Sequence, residues 1–257
     1  WDGPRDEVLV ATKTGYRRTM EVPAFVAPVS DSGESDKQGA GFGVQMSDSP
    51  ESDTQGRDSE GCGHRPGEER QHLQAAGSQY GWMADSRPET MIRDAKESAL
   101  HLGVDTLDLL YSHGPDPAVP YEDQCGALKQ LLDEGVIKYA GISRVNNEQI
   151  DLARSIIGSG LVAVQNQFSP SHPDPEHTME HCAELGLAFV CWSPLGGFLD
   201  TFDQSAYDPF RTVAAQRGCS YQRVVLAWEL AQYERLYTIP SARNPQEIND
   251  SFAATEL

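Results

Sequence analysis

The chain has 257 residues, a formal net charge of −19 at pH 7 and a hydrophobic fraction of 39%, which fits one large α/β domain or two small ones. Because an acidic surface repels phosphates, this charge argues against nucleic acid or an anionic membrane as a partner. No run approaches the ~18 apolar residues of a membrane-spanning helix. The five cysteines are odd in number and form no Cys-x-x-Cys motif, so we interpret them as reduced thiols of a cytoplasmic protein.

Six short apolar runs, each ending in a polar residue or a helix breaker, predict buried strands. They cover residues 8–13, 107–112, 137–143, 161–167, 187–192 and 236–240. Helical periodicity predicts helices over residues 86–102, 121–134, 146–156, 174–186, 207–217, 221–233 and 244–257. Strand and helix alternate as in βαβ units, which indicates a parallel sheet, either doubly wound or closed into a barrel.

Local signals set the ends of two of these helices. Ser86 and Glu89 have the spacing of a capping box, and the stripe that follows consists of Met91, Ala95, Ala99 and Leu102. Asn146 is predicted to cap its helix, with Gln149 as the reciprocal partner.

One long segment differs in composition from the rest. Residues 30–79 are mostly Gly, Ser, Asp, Glu and Gln. Their only sizeable apolar side chains are Phe42, Val44, Met46 and Leu73. Such a segment buries too little apolar surface to offset its ordering entropy. We therefore predict a disordered polar insertion at 30–79 within a single domain formed by residues 1–29 and 80–257.

Functional side chains follow or end the predicted strands. These residues are Lys13, His113, Ser143, Gln165, Trp192 with Ser193, and Ser241. Since the carboxyl ends of parallel strands meet at one edge, the pattern indicates one site assembled from many strands. A lysine and a histidine placed there suit proton transfer to a carbonyl oxygen.

Two weaker patterns are set aside. Gly39-Ala-Gly41-Phe-Gly43 follows no predicted strand and opens no helix, so we interpret it as a flexible loop rather than a dinucleotide fingerprint. His172, His177, His181 and Cys182 lack a second ligand cluster, so we interpret them as a solvated surface and predict no metal site.

Six motifs in the same order closely resemble those of the aldo-keto reductases. They are Ala11-Thr-Lys13, Gly103-Val-Asp-Thr-Leu-Asp-Leu-Leu-Tyr-Ser-His113-Gly-Pro-Asp-Pro117, Gly135-Val-Ile-Lys-Tyr-Ala-Gly-Ile-Ser143, Val164-Gln-Asn166, Trp192-Ser-Pro-Leu-Gly196 and Ile239-Pro-Ser-Ala-Arg243. The resemblance implies a TIM-type (β/α)8 barrel that binds NADP(H) without a Rossmann motif. It also implies an oxidoreductase that reduces small-molecule aldehydes or ketones by hydride transfer.

The resemblance assigns roles to individual residues. Lys13 matches the family's catalytic lysine, which lowers the pKa of the catalytic tyrosine, and His113 matches the histidine that orients the carbonyl. Seven residues match the family's cofactor-binding positions. Ser143 and Gln165 match the residues that hold the nicotinamide carboxamide, and Trp192 matches the aromatic residue that stacks on the nicotinamide ring. Ser193 and Leu195 fall where the pyrophosphate binds, and Ser241 and Arg243 fall near the adenosine 2′-phosphate. A cationic partner there favours NADP over NAD.

The chain also departs from the family pattern. The family's catalytic Asp and Tyr lie on two βα units before the Ala-Thr-Lys strand, whereas ten residues precede Ala11 here. The expectation is therefore a barrel incomplete at its N-terminus and lacking that pair. Without the tyrosine as an acid for the alkoxide, hydride transfer by this chain is expected to be slow. Arg144 stands where the family has Asn, and Asp250-Ser251 replaces a Glu-Asn pair. Two alternatives stay open at this point: a non-catalytic nucleotide-binding regulatory subunit of the same fold, and an inactive fragment. The oligomeric state is left open.

Overall fold

The computed structural model describes residues 9–18, 82–196 and 203–257. Its strands are β1 (Ala11–Thr14), β2 (Tyr16–Arg18), β3 (Trp82–Ala84), β4 (Leu107–Ser112), β5 (Ile137–Ser143), β6 (Leu161–Gln167), β7 (Ala188–Trp192) and β8 (Leu236–Thr238). Its α-helices are α1 (Pro88–Leu102), α2 (Tyr121–Asp133), α3 (Asn147–Ile157), α4 (Thr178–Glu184), α5 (Asp208–Arg217), α6 (Tyr221–Leu230) and α7 (Pro245–Phe252). The predicted insertion at 30–79 lies outside the described residues.

All six predicted strands belong to one parallel sheet, in the order β1-β4-β5-β6-β7-β8. From β4 onward, at least one helix separates each strand from the next in the chain. This confirms the predicted βαβ alternation and brings the carboxyl ends of the six strands to one edge. A short antiparallel pair, β2 with β3, adjoins β1 in the chain.

The main core lies between this sheet and its helices. Met91 of α1, Leu128 of α2 and Ile150 of α3 are fully buried against strand residues such as Leu110 and Ile142. Burying each such side chain contributes about 1.5–3 kcal/mol, so this larger cluster contributes more apolar stabilisation than the second one. A smaller cluster centres on Leu109, Tyr111 and Ala163.

Gly141 of β5 leaves the space that the Tyr111 ring fills. A Cβ built at Gly141 would lie 2.3 Å from Tyr111 Cε1, closer than any side chain tolerates. The Tyr111 ring in turn supports Lys13, whose Nζ lies 5.9 Å from the ring centroid. The glycine therefore helps to set where Lys13 lies.

The predicted capping box at Ser86 is wrong. The N-cap of α1 is Arg87, and no side chain caps it. Ser86 is buried and instead joins two other segments: its backbone N donates to Asp116 Oδ2 at 3.0 Å, and its hydroxyl donates to the Gly15 carbonyl at 3.3 Å. Tertiary partners have replaced the local capping bond.

Two other helix predictions need correction. Leu102, placed in the buried stripe of α1, is 49% exposed, because the buried stripe ends at Ala99, before the last turn. The helix predicted from residue 174 begins at Thr178. Asp174 still contributes to it, because its carboxylate accepts a hydrogen bond from Met179 N at 2.9 Å.

The predicted cap of α3 is confirmed. Asn146 Oδ1 accepts from Gln149 N at 2.9 Å, and Gln149 Oε1 accepts from Asn146 N at 3.1 Å, a reciprocal capping box. We expect Asn146→Ala to lower the free energy of unfolding by about 1 kcal/mol, measured by urea denaturation. Asn146→Asp keeps the acceptor and should lose much less. Equal losses in the two variants would contradict this role.

Candidate active site

Lys13 and His113 lie side by side at the carboxyl edge of the sheet. Lys13 is in β1, and His113 directly follows the neighbouring strand β4. The hydrogen bonding between β1 and β4 extends to His113, because His113 N donates to the Thr14 carbonyl at 2.9 Å. The structure therefore brings the two predicted catalytic residues together on adjacent strands.

Burial and mutual repulsion set the charges of these two groups. Burial, helped by the positive charge of Arg144, lowers the pKa of Lys13 to about 8. Burial, followed by the charges of Lys13 and Arg144, lowers the pKa of His113 to about 4. At pH 7 the imidazole is therefore neutral and able to donate one N–H, while the amine is still mostly protonated and close to its titration point.

Sequence reasoning missed Tyr16 as a member of this site. Its ring lies 4.7 Å from the His113 ring, centroid to centroid. Gly15, with φ +92°, turns the chain between Lys13 and Tyr16. A Cβ at Gly114 would lie 3.4 Å from Tyr16 Oη, so the hydroxyl reaches over the loop that follows His113. The only sequence signal was a tyrosine three positions after the lysine.

Ser143 and Gln165 face each other across β5 and β6. Ser143 Oγ donates to the Gln165 carbonyl at 2.7 Å, and both residues are buried. Within the described residues, Gln165 Oε1 is buried without a hydrogen-bond partner. A buried acceptor in this state is costly, and an amide N–H from a ligand would satisfy it. The predicted pair thus fits a carboxamide such as that of nicotinamide.

Trp192 ends β7, which lies three strands along the sheet from β4, the strand that His113 follows. Its ring lies 5.1 Å from the guanidinium carbon of Arg144, and its indole nitrogen is buried with no partner among the described residues. Ser193, with φ +51°, opens a tight turn in which its carbonyl accepts from Gly196 N at 3.0 Å. Leu195 lies within that turn.

Ser241 and Arg243 follow β8 and are exposed. Arg243 donates from Nη2 to Glu247 Oε1 at 2.7 Å, and its backbone N donates to Glu247 Oε2 at 2.8 Å. Glu247 therefore competes with any anionic ligand for the Arg243 guanidinium.

The histidines set aside as metal ligands have other partners. His172 Nδ1 lies 3.1 Å from the hydroxyl oxygens of Ser169 and Ser171. His181 Nε2 lies 2.8 Å from Asp151 Oδ1. Across residues 9–18, 82–196 and 203–257 there is no group of three or more His, Cys, Asp or Glu side chains placed to hold a metal ion.

The sequence model of the Aldo/keto reductase family matches residues 1–257. A curated relative, pyridoxine 4-dehydrogenase of Escherichia coli, is 27% identical over 188 residues, which cover 70% of this chain and 63% of that protein. The chain therefore spans less than two thirds of this relative.

Solved structures show the same fold. The aldose reductase of Giardia lamblia is similar at 25% identity with a TM-score of 0.60, over 67% of this chain and 64% of that one. A Bombyx mori aldo-keto reductase, solved with NADP, is 23% identical with a TM-score of 0.56, over 67% of this chain and 60% of that one. The described parallel sheet and helices match part of these barrels, which confirms the predicted TIM-type α/β fold class.

Among the described helices, none combines the length and the apolar character that crossing a membrane requires.

Proposed function

This chain belongs to the Aldo/keto reductase family, and we propose that it is an oxidoreductase that reduces a small-molecule aldehyde or ketone with NADPH. One observation carries the proposal: Lys13, neutral His113 and the unsatisfied amide oxygen of Gln165 lie along one edge of one sheet. That edge offers a proton donor, a carbonyl-binding group and a nicotinamide-binding group together.

Seven residues are proposed to hold the dinucleotide. Gln165 and Ser143 would bind the carboxamide, and Trp192 would pack against the nicotinamide. Ser193 and Leu195, in the turn after β7, would lie along the pyrophosphate. Ser241 and Arg243 would bind the 2′-phosphate. Glu247 would then either leave the Arg243 guanidinium or share it with the phosphate. When bound, NADPH supplies a hydride to the carbonyl carbon.

The chain's own residues would handle the carbonyl oxygen. Neutral His113 donates a hydrogen bond from its imidazole N–H to that oxygen and fixes its direction. Lys13, with a pKa of about 8, is protonated at neutral pH and gives its proton to the oxygen as negative charge develops there. The products are the alcohol and a neutral amine, which water reprotonates.

Similar proteins support this proposal. One is named a 4-dehydrogenase of pyridoxine, another an aldose reductase, and a third was solved with NADP. Substrate choice in this fold depends on loops, so the specific substrate does not follow from the fold.

We also propose that residues 1–29 and 80–257 form one barrel domain and that the protein works in the cytoplasm. The described cysteines are free thiols, and burial raises the pKa of Cys125 to about 11 and of Cys182 to about 12. Such thiols are unreactive packing groups, which supports a reducing compartment.

The test is turnover by this chain. Purified protein is mixed with NADPH and benzaldehyde, and NADPH oxidation and benzyl alcohol are measured together. We expect equal amounts of each, a lower rate with NADH, and a kcat/KM roughly 100-fold lower in His113→Gln. His101→Gln, on the exposed end of α1, is the matched control and should keep the wild-type rate. Tight NADPH binding without any alcohol would favour the regulatory-subunit alternative instead.

A further inference from the structure

Arg144 is held rigidly at the end of β5. Its backbone is left-handed, with φ +58°, a conformation that a non-glycine residue keeps only when its surroundings fix it. Arg144 N donates to the Gln165 carbonyl at 3.1 Å. The next residue, Val145, is bound on both sides by Asn166, at 3.1 Å through its N and at 2.7 Å through its carbonyl. The backbone therefore fixes the direction in which the Arg144 side chain leaves the chain at its Cα–Cβ bond.

Aromatic rings flank the Arg144 guanidinium and leave it charged. Its Cζ lies 5.1 Å from the Trp192 ring and 5.8 Å from the Tyr16 ring. A Cβ at Gly114 would lie 3.3 Å from Arg144 Cδ, so the stem passes directly over the loop that follows His113. Stacking on rings orients a guanidinium and leaves N–H groups at its edge to meet an anion.

The charge of this site contrasts with the rest of the chain. Acidic residues outnumber basic ones by 39 to 20, and many described arginines bind a carboxylate: Arg87, Arg93, Arg211, Arg223 and Arg243. Within the described part of the chain, neither Arg144 nor Lys13 forms an ion pair. Two unpaired cations therefore lie at one edge of a strongly acidic protein, next to a neutral histidine.

We propose that Arg144 binds a carboxylate of the substrate, so that this site selects carbonyl compounds that also carry an acid group. The inference rests on the proposed function and names its substrate class. His113 and Arg144 contact the same Tyr16 ring, so the carboxylate lies a few bonds from the reacting carbonyl, as in a short oxo acid. A guanidinium fork matches the two oxygens of a carboxylate.

A phosphate of the dinucleotide is also an anion whose oxygens a guanidinium can bind. Position favours the substrate, because Arg144 lies between the Trp192 ring, proposed for the nicotinamide, and the Tyr16 ring beside His113. Hydride transfer requires the carbonyl compound to lie between these two groups, whereas Ser241 and Arg243, proposed for the 2′-phosphate, follow β8. The experiment below separates the two sources.

The test compares two substrates that differ in one charge, succinic semialdehyde and its methyl ester. We expect wild-type protein to prefer the acid, and the acid-to-ester ratio of kcat/KM to fall about tenfold in Arg144→Gln. Arg144→Lys, which keeps the charge but loses the fork, should lie between them. Arg93→Gln removes an exposed arginine of α1 and should leave the ratio unchanged. A ratio that stays the same in Arg144→Gln overturns the proposal.

Two binding measurements complete the test. Quenching of tryptophan fluorescence by succinic semialdehyde, but not by its ester, should depend on Arg144 and be lost in Trp192→Phe. This readout needs no turnover, so Arg144-dependent binding without reduction would keep the inference and reject the proposed function. The NADPH dissociation constant should change little in Arg144→Gln. A large rise in that constant with an unchanged ratio would assign Arg144 to a cofactor phosphate and overturn the inference.

Discussion

Replacing Lys13 with methionine is expected to lower kcat for carbonyl reduction roughly 100- to 10,000-fold, the range of a general acid. The lysine has the right pKa for this role, since burial and Arg144 lower it to about 8. Methionine fills similar space and carries no proton. The measurement is NADPH-dependent aldehyde reduction under saturating substrate.

The pH dependence tests the same role without a mutation. Reduction needs the protonated amine, so wild-type kcat should be constant below the Lys13 pKa and fall as pH rises through about 8. Lys13→Arg keeps the positive charge but does not release its proton in this range, so it should be slow at every pH. Lys129→Met, on the exposed face of α2 with Asp133 as its partner, is the control. A Lys13→Met variant with wild-type kcat would exclude the lysine as the donor.

Replacing Glu229 with glutamine is expected to stabilise the protein by about 3 kcal/mol at pH 7. Glu229 of α6 is fully buried, and neither carboxylate oxygen has a hydrogen-bond partner among the described residues. The nearby Cys191 thiol donates to the Phe168 carbonyl at 2.9 Å instead. Burial therefore raises the pKa of Glu229 from 4.5 to about 9.

The sign of this effect follows from proton uptake. Between pH 4.5 and about 9 the folded state keeps the Glu229 proton and the unfolded state has lost it, so wild-type stability falls as pH rises through this range. Glutamine does not titrate. The stability difference between Glu229→Gln and wild type should therefore be near zero at pH 4.5 and grow up to about pH 9. Urea denaturation across this range measures it, with the exposed Glu234→Gln as control. A difference that does not vary with pH would contradict the buried-acid interpretation.

Residues of the candidate site could be predicted from the sequence where their position depends only on parallel strands ending at one edge of the sheet. Lys13, His113, Ser143, Gln165 and Trp192 were found because parallel strands bring their carboxyl ends to one edge, whatever the crossover helices contain. Alternation of apolar runs with helical stripes was therefore enough to place these side chains on one side of the sheet.

Other features depend on tertiary contacts that periodicity does not encode. Tyr16 reaches His113 only because Gly15 turns the chain at a positive φ. Ser86 has a local capping motif, yet Asp116, thirty positions away, provides a better partner for its backbone. The Glu229 carboxylate is polar, and its burial follows from how α6 packs against β8, beside the Cys191 thiol.

We propose that one edge of this sheet holds NADPH and a carbonyl together for direct hydride transfer. It is tested by reducing benzaldehyde with NADPH that carries deuterium at the transferable position of nicotinamide C4, and analysing the alcohol by mass spectrometry. We expect one deuterium on the carbinol carbon with wild-type protein, and a much slower yield of the same labelled alcohol with Lys13→Met. Alcohol that carries no deuterium, whichever of the two C4 hydrogens of NADPH is labelled, would contradict this proposal, and so would the absence of any alcohol.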